Sequence, residues 1–349
     1  MVSRAVVAGL GSATPPPYRQ DEMWEEYFKA HSGDNHRAAR IFASSGVETR
    51  HSVIDPRVED VSTWSTAQRM QRYEIESFPL GEEALGKALV AAGVDAADLG
   101  MLAVVSCTGY ATPGLDIRLA ASLGASSDLR RLVIGHMGCY AAIPGMAAVA
   151  DYVRLHGRPA ALLCVELTSL HLQPSAALGV FDNEQVVAHS LFSDAAAAAV
   201  VVPDAPAGLE IGNIASRTDT AHAGDMTWHV TDHGFRMGLS PRVPLVLARH
   251  AAGTVEGLLA PALTTADVDA YAVHPGGPRI LDVVGKALAL PESALTASRE
   301  TLRDHGNCSS ATILLVLERL RANNPEAGNT VAMAFGPGLT LYTAHFSGT

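Results

Sequence analysis

Residues 131–155, RLVIGHMGCYAAIPGMAAVADYVRL, hold three local signals in succession. Residues 131–134 read as a short strand and residues 135–138, Gly-His-Met-Gly, as a turn. A helix then runs from Cys139 to about residue 155, with Ile143, Met146, Val149 and Val153 at helical spacing. Pro144 is tolerated because it falls in the first helical turn.

The same rhythm extends in both directions. Upstream, residues 5–11 read as a buried strand running into a glycine turn, and residues 20–45, 57–76 and 82–92 carry helical patterns. A strand at 102–105 ends in Ser106-Cys107-Thr108-Gly109, and a helix follows at 116–123. Downstream, a strand at 160–164 leads to a strand pair over 192–202. A break at Pro203-Asp204-Ala205-Pro206 divides the chain into residues 1–203 and 204–349. The second part has strands at 209–214, 268–273, 331–335 and 339–346, and helices at 244–259, 279–288 and from Asp304-His305-Gly306-Asn307 to about 321. Alternating strands and helices predict buried, largely parallel sheets with helices outside. The shared rhythm of the two parts predicts a pseudo-duplicated α/β protein.

Composition narrows the function. The 349 residues carry 25 Lys plus Arg against 36 Asp plus Glu, a formal charge of −11. Hydrophobic residues make up 48% and charged residues 17%, which suits a large dry core and not disorder. A nucleic-acid partner needs a basic stripe, and no dense Lys/Arg run exists here. The longest pure apolar run is residues 195–202, whereas a membrane helix needs about 20 residues, so no membrane span is expected. The apolar opening is too short for a secretory signal, which makes a cytoplasmic protein the expectation. Cysteines at 107, 139, 164 and 308 form no CxxC motif. Neither a zinc site nor a disulfide framework is expected.

Three polar residues stand where strands of this architecture end, the place where ligands bind. Cys139 opens a helix, whose dipole favours a thiolate. His274 follows a buried strand and precedes Pro275-Gly276-Gly277-Pro278. Asn307 stands in Gly306-Asn307-Cys308-Ser309-Ser310 at a helix start. Each has an ordinary explanation by itself: a small buried hydrophobe, a structural hydrogen-bonder and an N-cap.

Together, Cys, His and Asn in this order resemble the thiolase-like condensing enzymes. Gly138-Cys139, His274-Pro275-Gly276-Gly277-Pro278, Gly306-Asn307-Cys308-Ser309-Ser310 and Phe335-Gly336-Pro337-Gly338-Leu339-Thr340 resemble the type III polyketide synthases, the chalcone synthase family. The resemblance begins at Gly11-Ser12-Ala13-Thr14-Pro15 and covers nearly the whole chain. The short C-terminus and the turn at residues 106–109 fit the bacterial branch. The resemblance implies a thiolase-like fold, two α/β halves stacked as layered αβαβα. It implies that Cys139 attacks an acyl-CoA thioester and that His274 holds Cys139 as a thiolate in an ion pair. His274 and Asn307 would donate hydrogen bonds to the malonyl-CoA thioester oxygen, stabilising the enolate left by loss of carbon dioxide. Extension by two carbons and cyclisation follow in the same cavity, with no metal or organic cofactor.

The resemblance also assigns positions around that cavity. Phe192 matches a gatekeeper phenylalanine between the CoA tunnel and the cavity, and Met237 stands at the second gatekeeper in an ungapped reading. Thr168 keeps the family residue, and His171 stands where a small Thr is common. Glu166 and Ser309 match a pair that steers ring closure in some relatives together with a Thr hydroxyl, and Cys107 occupies that Thr position. A thiol is a weak hydrogen-bonder, so an altered relay is expected. Gly336, Pro337 and Gly338 would shape the cavity wall. Arg37 and Arg40 fall at CoA-contacting positions, with Ser44 where a third cation is common. Thr112 corresponds to a residue that family dimers push into the partner's cavity, which implies a homodimer. Two other readings compete. One is a condensing enzyme like ketoacyl-carrier-protein synthase III, which would carry a different His-Gln-Ala-Asn type motif. The other is a Cys-His thioesterase.

Overall fold

The computed structural model describes residues 3–32, 35–173 and 182–349. Its first half places β1 (Ala5–Ala13) in the main sheet and pairs β2 (Pro17–Arg19) with β3 (Thr49–His51) apart from it. The chain returns to the main sheet with β4 (Met101–Ser106), β5 (Arg130–Gly135), β6 (Ala160–Glu166) and β7 (Ala195–Pro203), in the order β1-β7-β6-β4-β5. The second half begins with β8 (Leu209–Thr218), then forms a separate hairpin from β9 (Met226–Thr231) and β10 (Gly234–Leu239). It continues the main sheet with β11 (Ala270–Val273), β12 (Asn329–Gly336) and β13 (Thr340–Gly348), in the order β11-β12-β13-β8.

Both halves follow one plan. The last strand, β7 or β13, lies beside the first and runs antiparallel to both neighbours. The sheet is therefore mixed, not largely parallel; among the described residues its parallel strand pairs are β4–β5, β4–β6 and β11–β12. For β13 the reason is simple, since residues 337–339 are too few for a parallel crossover. Strands β1 and β8 join the halves through Val6↔Glu210 and Val7↔Leu209.

Alternation along each strand builds the layers. Ala103 and Val105 of β4 pack in a middle layer with the helices Ala142–His156 and Thr312–Asn323. Leu102 and Val104 face the outer helix Thr66–Ala92. In the second half Ala272, Ala332 and Ala334 face the middle layer. Tyr271, Val273, Val331 and Met333 face the outer helices Val243–Leu259 and Pro278–Ala287. This is the layered αβαβα arrangement of the thiolase-like fold.

Several elements differ from the sequence reading. Asp304 and His305 end the helix Thr296–His305, and the helix expected to open there begins at Thr312. Of the pattern at 57–76 only the part from Thr66 is helical, residues 57–65 being turns and irregular chain; that part and the pattern at 82–92 form one helix, Thr66–Ala92, started by a Ser65/Gln68 capping box and ended by Gly93 at φ 64°. Gly9 and Gly11 lie inside β1 because that helix rests on them: a Cβ at Gly9 would sit 2.2 Å from the Ala88 carbonyl oxygen. The expected strand pair over 192–202 is the end of the helix Asn183–Leu191 followed by β7. Among the described residues no helix is long and apolar enough to cross a membrane.

Candidate active site

Cys139, His274 and Asn307 line one cavity of about 880 Å³. Cys139 sits in the turn after β5, and the helix expected to begin there begins at Ala142. Glycines let the two halves close on this turn. A Cβ at Gly138 (φ 88°) would lie 2.4 Å from Pro337 Cδ, and one at Gly336 would lie 3.2 Å from the Cys139 nitrogen. The Gly138 N–H donates to Cys107 Sγ at 3.0 Å, which fixes the turn from below.

His274 directly follows β11 and donates its backbone N–H to the Met333 carbonyl at 2.8 Å. Its ring packs edge-on against Phe335, centroids 5.4 Å apart. Asn307 follows Gly306 (φ 70°) and is pinned by backbone bonds to Leu191 and Ser193. The Ser309 N–H donates to Asn307 Oδ1 at 2.9 Å, which orients the carboxamide and leaves Nδ2 as its donor. Ser309 adopts φ 48°, an uncommon conformation for a residue other than glycine.

Burial dominates the electrostatics. Cys139 and His274 are 7% and 1% exposed. Burial pushes the Cys139 thiol up to about 12, against a hydrogen bond with Ser309 that lowers it. Burial also pulls His274 down to about 3. Desolvation opposes the charged form of each group. Among the described residues, neither ring nitrogen of His274 has a hydrogen-bond partner.

The remaining expected residues divide into groups. Phe192 and Met237 line the cavity, and both also line a smaller chamber of about 40 Å³ behind them. They stand at the boundary between the two spaces. Thr168 and His171 line the small chamber and not the large one. Thr168 donates its hydroxyl to the Ser193 carbonyl at 2.9 Å and to Asp194 at 3.1 Å. His171 is 2.6 Å from the Thr108 carbonyl through Nε2 and accepts from the Phe235 N–H at 3.0 Å through Nδ1.

Other positions are shifted from the sequence reading. Cys107 is buried under Gly138 and does not line the cavity. Glu166 takes the Thr108 hydroxyl at 3.0 Å, the Cys107 N–H at 3.0 Å and the Ser310 hydroxyl. The hydroxyls on Glu166 are thus those of Thr108 and Ser310, while Ser309 bonds the Cys139 thiol. Gly336, Pro337 and Gly338 do not line the large cavity; their glycines allow close packing against the Cys139 turn and their own strand end. Arg37 and Ser44 line the cavity, and Arg40 does not. Thr112 is exposed on a loop outside the cavity of its own chain. Sequence reading missed Trp228 and Phe235 in the chamber, and Arg236 and Arg279 in the large cavity. Arg279 directly follows the His-Pro-Gly-Gly-Pro segment, a signal within reach.

Known proteins match the chain over nearly its whole length. The N-terminal domain of chalcone and stilbene synthases matches residues 2–205, and their C-terminal domain matches residues 215–348. A 1,3,6,8-tetrahydroxynaphthalene synthase of Streptomyces peucetius subsp. caesius is 36% identical, over 95% of this chain and 90% of the relative. The alpha-pyrone synthesis polyketide synthase-like Pks18 of Mycobacterium tuberculosis is 30% identical, over 97% of this chain and 89% of the relative. The crystal structure of PKS-I from the brown alga Ectocarpus siliculosus superimposes with a TM-score of 0.92 at 26% identity, covering 100% of this chain and 99% of that one. The chain belongs to the chalcone and stilbene synthase family, the type III polyketide synthases, which are acyl-CoA condensing transferases.

Proposed function

We propose that Cys139 carries the acyl chain and that His274 and Asn307 drive decarboxylative condensation with malonyl-CoA. The observation that carries this is the pair of unpartnered His274 nitrogens in a buried cavity shared with Cys139. A buried polar group without a partner is costly, and a substrate oxygen beside a donor would remove that cost.

Loading begins when the Cys139 proton moves to His274 as sulfur attacks the acyl-CoA carbonyl. The tetrahedral intermediate collapses and expels CoA, which takes the proton back from the imidazolium. Malonyl-CoA then loses carbon dioxide. The resulting enolate oxygen accepts hydrogen bonds from the His274 ring and Asn307 Nδ2. The enolate carbon attacks the acyl-Cys139 carbonyl, the cysteine sulfur leaves, and the chain is two carbons longer on CoA. Transfer back to Cys139 repeats the cycle. The sulfur leaves as a thiolate and each extension takes up one proton from solvent; the hydrogen-bond donors are the chain's own, and activity should survive EDTA.

The test is malonyl-CoA with an acyl-CoA starter. Carbon dioxide and an extended product are expected. Hydrolysis of malonyl-CoA without carbon dioxide would favour the thioesterase reading.

The enzyme acts in the cytoplasm as a homodimer in this proposal. The edge strand β5 carries Val133 at 60% exposure, near an exposed Tyr110 and Ile117 on the loop and helix around Thr112. A second copy over this face would cover them, and sedimentation should give twice the chain mass.

A further inference from the structure

Two histidines from different halves meet behind the reaction centre. His51 ends β3, and His305 ends the helix Thr296–His305, two residues before Asn307. Their rings approach through His51 Nε2 and His305 Nδ1 at 3.1 Å, with the ring planes 23° apart. His51 Nδ1 lies 2.9 Å from the Pro15 carbonyl oxygen. Burial opposes a charge on either ring. In the neutral form each ring has one proton, and a carbonyl only accepts. His51 Nδ1 therefore donates to Pro15, and His51 Nε2 accepts from His305 Nδ1. Neither ring lines the cavity that holds Cys139 and Asn307.

The pair closes a circuit of bonds around the Asn307 loop. His51 donates its N–H to Ser193 Oγ at 2.7 Å, and its carbonyl accepts the Asp194 N–H at 3.0 Å. Ser193 donates its N–H to the Asn307 carbonyl at 3.0 Å, and Asn307 donates its own to the Leu191 carbonyl at 2.8 Å. The His305 ring returns the circuit to His51. The fit is tight, since a Cβ at Gly306 would stand 2.9 Å from the Leu191 carbonyl oxygen and 2.9 Å from Ser193 Cβ. The helix end is closed without the His305 ring: the Gly306 N–H donates to the Leu302 carbonyl at 2.9 Å. The neighbouring Asp304 is held by Arg303 and Arg319. The one printed use of the His305 side chain besides its stack is the bond to the other half.

Resting on the reading that Asn307 donates to the malonyl-CoA oxygen, we propose that the His51–His305 bond positions Asn307 for decarboxylation. An oxyanion donor works at about 2.7–3.1 Å from the developing charge, and a misplacement of about 1 Å can cost ~10²-fold. The bond fixes the residue two places before Asn307 against the strand that also holds Ser193, so the loop is held from both ends. Cys139 sits on a different turn, after β5, and its reactivity does not depend on the pair. His51 and His305 are positioning residues and touch none of the reacting atoms.

The experiment reads carbon dioxide release from malonyl-CoA and the rate of Cys139 alkylation by iodoacetamide. It compares the wild type, His305→Ala, His305→Asn, Asn307→Ala and the double variant His305→Ala/Asn307→Ala. His305→Ala should lower kcat for decarboxylation about tenfold, a fraction of the cost of a full misplacement. KM for malonyl-CoA and the alkylation rate should hold. His305→Asn, whose carboxamide nitrogen stands near the place of Nδ1, should recover most of the loss. In the double variant, His305→Ala should add nothing to the loss from Asn307→Ala, because the group it positions is gone. His305→Phe keeps the ring volume and removes the bond, so it takes the place of His305→Ala, with the same expected losses, should the alanine variant fail to fold. An unchanged kcat, an equal loss in alkylation rate, or losses that multiply in the double variant overturns the proposal and leaves the condensing reading intact. Asn307→Ala with wild-type kcat overturns that reading of Asn307, and the inference with it.

Discussion

His171 and His274 occupy adjoining cavities and experience nearly the same burial. Desolvation pulls each down to about 3. Their nitrogens differ. In the small chamber, His171 is satisfied on both sides by the Thr108 carbonyl and the Phe235 N–H, and its ring stacks on Phe235 at 4.3 Å. In the large cavity, His274 is satisfied on neither. Burial alone therefore does not mark a working histidine. An unmet hydrogen-bonding capacity facing open space does, because substrate can meet it. The volumes agree: about 40 Å³ in one case and about 880 Å³ in the other. The smaller holds only a few waters at ~10–15 Å³ each.

The contrast can be broken by substitution. His274→Gln should slow condensation by about 10³-fold, the scale of a lost general base. Steady-state rates of product formation check it, and a near-wild-type rate would make the two histidines equivalent. Asn307→Ala should slow malonyl-CoA decarboxylation by roughly 10²–10³-fold, the scale of one lost oxyanion donor. His171→Ala should behave differently. It leaves a buried carbonyl and a buried N–H unmet, at about 1–3 kcal/mol each. Urea titration should show that destabilisation, while decarboxylation per folded molecule stays at the wild-type level.

The smallest expected effect is on the pH dependence of stability. In the unfolded chain a histidine takes up a proton below its ordinary value of 6.5; folded, His171 and His274 stay neutral down to about 3. As pH falls through that window the unfolded state binds more protons, and these residues cost stability. Glu166 and Asp194, raised by burial, act in the opposite sense. The difference between proteins isolates the histidine: Tm of His171→Ala should fall less steeply than wild type between pH 6.5 and 4. Parallel curves would show that His171 is protonated in the fold.

Cys139, His274 and Asn307 were legible in the sequence because each sits at a strand or helix end flanked by glycine, and backbone signals of that kind are local. The lining of the cavity was legible only to within one residue. Cys107 and Thr108 point to opposite sides at the end of β4, and Ser309 and Ser310 part in the same way. The register of a turn decides which hydroxyl meets Glu166, and spacing does not reveal it. Gly9 and Gly11 were misread because their partner, Ala88, lies far along the chain. Arg279 was missed because it shares a cavity with Arg37 only once the two halves meet.

Cys139→Ala with malonyl-CoA and an acyl-CoA starter tests the account most directly, reading carbon dioxide and extended product in the same reaction. Decarboxylation should persist, because His274 and Asn307 remain, while no extended product forms, because no sulfur accepts the starter. Extended product at the wild-type rate would contradict the account.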